Sequence, residues 1–178
     1  MLRAYFIKTI AMVFASAMSL ITVVNADTSR EYQLKAAYLL NFARFIYWPG
    51  DSFDSENDKF NICVYGSSSF DESLNLLLDK KVQGRSIQVD FIDRLKGISA
   101  CHILFVSGDE AEKFYEFKMQ MPKHVLSVSD KEGFSESGGM IEFVRIRNKI
   151  KFEINVTQST NAGIKYKSQL LEVAERLR

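Results

Sequence analysis

Histidine, cysteine, proline and tryptophan are all scarce in this chain: two, two, two and one among 178 residues. His102 and His124 show neither the local spacing of a zinc site nor a recognised nucleophile motif, so hydrolytic chemistry has no local signature. A triad assembled from distant residues would leave no such trace, because it is recognised by geometry. Cys63 and Cys101 stand too far apart for a Cys-x-x-Cys redox motif. A Gly-x-Gly-x-x-Gly fingerprint and the Lys-Ser/Thr of a phosphate loop are both missing, so Gly66-Ser67-Ser68-Ser69 reads as an ordinary strand-to-helix turn before a phosphate cradle. Few prolines together with 12% aromatic residues exclude a disordered chain and imply a dense core.

What is present at the start is a leader. Arg3 and Lys8 precede an apolar run from Ile10 to Val24, and Val24-Asn25-Ala26 carries the small-residue pattern of a signal-peptidase site. The run is about 15 residues, short of the roughly 20 that a spanning helix requires, and polar Asp27-Thr28-Ser29-Arg30 follows at once. Residues 1–26 are therefore expected to be a cleaved signal peptide; an uncleaved anchor is the alternative. No cysteine near the site suggests lipidation. The remaining 152 residues suit one domain with one core. The leader takes two of the 23 basic residues and none of the 22 acidic ones, leaving 21 against 22, a net charge of −1. That balance offers no electrostatic grip on nucleic acid or anionic lipid.

Export changes the meaning of the two cysteines. An oxidising compartment joins a pair that folding brings close, whereas in a reducing one they are commonly buried apolar groups. Both lie in or beside apolar runs, Phe60 to Tyr65 and Cys101 to Val106, that read as buried strands. If the strands are neighbours, a bridge would close a loop of about 38 residues, a stabilisation of roughly 3 to 4 kcal/mol. Two unpaired core thiols are the alternative.

The segment from Glu31 to Trp48 lacks Gly and Pro and is stopped by Pro49-Gly50, which predicts a helix of about five turns. Its polar residues are few, so its apolar surface is wider than one stripe: the helix is either buried on most sides or meets another chain, with Phe42, Phe45 and Trp48 as the contact residues. Strand-like runs then alternate with helical ones: Phe60 to Tyr65, Phe70 to Lys80, the alternating Ser86 to Phe91 toward an edge, Cys101 to Ser107, Asp109 to Gln120, and Val125 to Val128. This order predicts an α/β fold with a largely parallel central sheet flanked by helices on both faces. Met140 to Ile146 and Ile150 to Ile154 form a hairpin around Arg147-Asn148-Lys149, and Ser168 to Leu177 an amphipathic C-terminal helix.

Four further features stand out. The loop Ser129 to Gly139 is glycine-rich and carries Phe134, either as its buried anchor or as an apolar group on a mobile loop. Glu153 sits on the strand face opposite Phe152 and Ile154, where a nearby Lys or Arg is its simplest partner. Lys165, Tyr166 and Lys167 place two cations around an aromatic ring, suited to an anionic or aromatic ligand or to a solvated surface. Asn155-Val156-Thr157 matches a glycosylation acceptor, which matters only in a eukaryotic secretory pathway.

Taken in order, EYQLKAAYLLNFARFIYWP, NICVYG, GRSIQV, CHILFVS, VLSVSD, GF, GGMIEFV, KFEIN and AGIKYKSQLL resemble the YfiR family of exported bacterial proteins through almost the whole chain after the leader. The resemblance implies a periplasmic, dimerising α/β domain with no catalysis of its own and no cofactor. It further implies binding to the periplasmic sensor part of an inner-membrane diguanylate cyclase, which it restrains, and sequestration by an outer-membrane lipoprotein. Cys63 and Cys101 match the family's cysteine pair whose oxidation supports folding; the second pair of some members is lacking. Glu153 matches an acidic position tied to repression, and Lys165 to Lys167 the place where basic residues help bind small aromatic ligands. Lysine at those positions does not provide the planar, bidentate recognition of arginine.

Overall fold

The computed structural model describes residues 28–178 apart from 54, 56, 57 and 67–69. The expected leader and most of the Gly66-Ser67-Ser68-Ser69 turn lie outside the described residues. Helix α1 spans 28–44 and is followed by strand β1 (Ile46–Tyr47). Then come β2 (Phe60–Tyr65), α2 (Asp71–Asn75), β3 (Lys81–Val82), β4 (Arg85–Ile92), β5 (Ile103–Val106), α3 (Ala111–Phe117) and β6 (Leu126–Ser129). The chain continues with β7 (Ile141–Ile146), β8 (Lys149–Ile154), α4 (Val156–Asn161), β9 (Lys165–Tyr166), α5 (Ser168–Glu172) and β10 (Arg176–Leu177).

Eight strands form one mostly parallel sheet in the order β10-β8-β7-β6-β5-β2-β4-β3; only β7 with β8 and β3 with β4 run antiparallel. The four-residue strands β5 and β6 are buried along their whole length, as apolar runs at the centre of a two-sided sheet must be. Alternate side chains sort into two cores. Phe60, Ile62 and Val64 of β2 join Leu39 and Phe42 of α1, and Leu74 of α2, in the larger one. Cys63 and Tyr65 join Phe114 and Phe117 of α3 in the other, together with Phe134.

The wide apolar girth of α1 is spent mainly on this core. Ala36, Leu39, Phe42 and Ala43 are all buried, at the three- and four-residue spacing of one helix face. Phe42 stacks on Phe143 at 5.8 Å and meets Phe152 edge-on at 5.0 Å. Of the two alternatives for this helix, Phe42 takes burial in this structure: its ring is fully enclosed between helix and sheet.

Several boundaries differ from the expectation. Helix α1 stops at residue 44, because Ile46–Tyr47 pairs antiparallel with Lys165–Tyr166. Residues Arg147 and Asn148, with φ of 48° and 59°, make a two-residue hairpin turn, and Lys149 already pairs with Ile146. Positive φ at both positions matches the twist of the flanking strands. The C-terminal helix is also shorter. It ends at Glu172, and Arg176–Leu177 adds to β8 as a parallel strand, with Arg176 opposite Glu153.

Candidate functional site

Cys63 in β2 and Cys101, two residues before β5, are disulfide-bonded, with Cα atoms 5.7 Å apart. The parallel pairing of β2 with β5 brings them together, and the bond is buried in the smaller core. Beside it, His102 donates from Nε2 to the Ser52 carbonyl at 2.8 Å and accepts at Nδ1 from the Asn61 backbone N–H at 3.0 Å. Its ring stacks between Phe53 and Phe60, at 4.4 and 4.8 Å, with Trp48 edge-on. Burial pushes its pKa down to about 4, assisted by His124 and Arg85 and opposed by the Ser52 bond and Asp58.

A pH prediction follows from this arrangement. The folded pKa lies below the unfolded value of 6.5, so the unfolded chain binds the extra proton and stability is lost as pH falls from 6.5 toward 4. The loss attributable to His102 is about 2 to 3 kcal/mol. Urea unfolding at pH 7 and pH 4.5 should show it, and His102→Gln, which keeps a donor and an acceptor, should flatten the difference. An equal slope in both proteins would contradict it.

The C-terminal turn of α1, β1 and β9 make an exposed corner. Lys167 Nζ donates to the Arg44 carbonyl at 3.0 Å and stands 5.9 and 5.5 Å from the ring centres of Phe45 and Tyr47. Tyr47 is 59% exposed and lies opposite Lys165 in register. The structure thus brings together Phe45, Lys165 and Lys167. The Tyr166 hydroxyl is turned away and enclosed, 2.6 Å from Ser159 Oγ, and burial raises its pKa. Trp48 also turns inward: its Nε1 donates to the Ala43 carbonyl at 3.0 Å and its ring packs on Phe60. Tyr47, absent from the sequence-based selection, is the exposed ring of the corner; its place opposite Lys165 depends on a two-residue strand pairing.

Glu153 belongs to β8, next to the β10 edge of the eight-stranded sheet, and is buried. Its Oε2 accepts from Arg178 Nε and Nη2 at 3.0 and 2.7 Å, which is the simple pairing the sequence allows, with a cation from 25 residues away. Directly across the ladder stands Glu142, also buried, which accepts from the Gly133 and Ser135 N–H groups at 2.9 Å and from Ser135 Oγ at 2.8 Å. With Phe134 packed 4.8 Å from Phe114, this pins the glycine-rich loop. Gly139 is required there, since a Cβ would run into the Phe134 ring. A lone carboxylate inside the apolar run GGMIEFV was the available signal for Glu142.

Lys35 is the buried cation of α1, held by Glu31 and Asp130 at 2.7 Å each. Burial works to lower its pKa, but the two carboxylates outweigh it and the net shift is upward. With Tyr32, Glu132 and Arg145 it lines a cleft of about 570 Å³ between α1 and β7. Arg145 also pairs with Glu31. Glu31, Lys35, Asp130 and Arg145 are paired with one another, so the cleft fastens α1 to the carboxyl end of β6. Among the described residues, no group of three or more His, Cys, Asp or Glu is placed to hold a metal ion. Nor is any helix among them long and apolar enough to cross a membrane.

Comparison with known proteins agrees with the order of motifs. No curated protein matches the chain. A family model described as YfiR/HmsC-like matches residues 32–175, from the first turns of α1 to the approach of β10. The chain belongs to the YfiR/HmsC-like family.

Proposed function

We propose that this protein is a non-catalytic periplasmic regulator that binds the periplasmic sensor part of an inner-membrane diguanylate cyclase and holds it in its less active state. The observation that carries this reading is the family match over residues 32–175. A buried disulfide is in keeping with an oxidising compartment. Restraint needs only that the domain bind one state of the sensor better than the other, and the shift is limited to that difference. Homodimerisation and capture by an outer-membrane lipoprotein belong to the same proposal. Expression of the chain with its leader should lower cellular cyclic-di-GMP, and expression without the leader should leave it unchanged. Equal effects from both forms would contradict a periplasmic site of action.

The corner of Tyr47, Lys165 and Lys167 is the proposed site for a small aromatic, anionic ligand. An exposed ring with the Lys167 ammonium 5.5 Å from its centre and Lys165 opposite it in register offers stacking and charge together. Each cation contact of this kind is worth about 0.5 to 2 kcal/mol, so Lys165→Ala with Lys167→Ala should weaken binding of a purine mononucleotide by roughly tenfold or more. Titration calorimetry measures this, and unchanged affinity would remove the site. The same corner is what a ligand-binding module for another sensor or a transporter would use, which is the second reading.

A further inference from the structure

The outer edge of β8 is covered by a segment that buries little of itself. Glu175 N–H donates to the Phe152 carbonyl at 2.9 Å, Arg178 N–H to the Ile154 carbonyl at 2.9 Å, and Val156 N–H to the Arg178 carbonyl at 2.8 Å. These are main-chain bonds that any extended strand can make. The side chains contribute little apolar burial, since Arg176 and Leu177 are both exposed, with Leu177 at 49%. Charge supplies the rest. Arg178 joins Glu153 to Glu136, the latter at 2.9 Å, and Arg176 approaches Glu153 at 3.7 Å. Glu153 is therefore a carboxylate only 7% exposed whose countercharges, Arg176 and Arg178, sit on this thinly packed segment.

We propose that residues 175–178 are a displaceable strap on the β8 edge, standing in for an extended, arginine-bearing strand of the protein partner. This deepens the regulatory reading and rests on it, because it names how Glu153 is reached. A partner strand in the same register replaces the three main-chain bonds and returns an arginine to Glu153, so the buried carboxylate is never left uncompensated. Exchange is then nearly balanced at the edge, and contacts elsewhere decide it. The acidic residues Glu136 and Glu153 select arginine over an acidic or neutral side chain, and the fork of the guanidinium suits the carboxylate.

The probe is a fluorescent synthetic peptide with the sequence of residues 172–178, titrated into the mature protein by anisotropy. Charge-assisted bonds of this type are worth about 1.5 to 3 kcal/mol, so Arg178→Gln should bind the peptide roughly ten- to a hundredfold more tightly than the unaltered protein. Adding Glu153→Gln should remove the gain. Hydrogen exchange on the unaltered protein gives an independent reading: the Val156 amide should exchange faster than the Phe143 amide of the sheet interior and slow when peptide is bound. Equal peptide affinity of the two folded proteins, or a Val156 amide as protected as that of Phe143, would overturn the strap. Dimerisation of Arg178→Gln without peptide would show that a second copy is the occupant and overturn the assignment to a separate partner. Peptide capture as expected, with no cyclase bound by either form, would uphold the strap and overturn the cyclase reading alone.

Discussion

Replacing both Cys63 and Cys101 by alanine is expected to lower the stability of the folded protein by about 4 kcal/mol, the chain-entropy value for a closed loop of this length. The bond spans 38 residues and encloses α2, β3 and β4, so without it the unfolded chain regains the freedom of that whole stretch. For a domain of this size, 4 kcal/mol corresponds to a fall of roughly 8 to 16 °C in Tm. Thermal melts with and without reductant measure it directly, and the alanine pair should melt like the reduced protein. A drop of a degree or two would mean that the bond closes a loop already ordered in the unfolded state. The link to function lies in position: the bond adjoins His102, whose ring holds Ser52 and Asn61 together and supports Trp48. Loss of the bond is thus expected to disturb the packing around the end of the α1–β1 segment.

Phe42→Ala carries the second large effect, a loss of about 3 to 5 kcal/mol from transfer and cavity terms combined. The ring contacts Tyr38, Phe143 and Phe152, and little of its space can be refilled without moving α1 against the sheet. Phe45→Ala, at a part-buried position under Lys167, is expected to cost much less and to act on the exposed corner instead. Urea unfolding of the two variants separates them. Similar small losses would restore Phe42 as a surface residue. Loss of partner binding in Phe42→Ala should accordingly track unfolding and not a lost contact.

Much of this architecture was legible because its signals are local. The apolar runs of β2, β5 and β6 announce buried parallel strands, but that β2 lies beside β5, which brings Cys63 to Cys101, depends on the fold. The width of the apolar face of α1 was equally plain, but breadth does not say what covers it, and the sheet turned out to cover Phe42. The parts that sequence did not disclose are short or distant. Strands β1, β9 and β10 have two residues each, too few for any periodicity, yet they set the corner at Lys167 and the strap at Glu153. Lys35 could be paired with Glu31 by helical spacing, whereas its second partner, Asp130, lies 95 residues away and depends on the fold.

The most direct test of the central claim is retention from detergent-solubilised inner membranes on oxidised protein comprising residues 27–178, with mass spectrometry of what is held. The account predicts recovery of a membrane diguanylate cyclase that is lost when its periplasmic part is removed. A folded, disulfide-bonded preparation that retains no cyclase would contradict it.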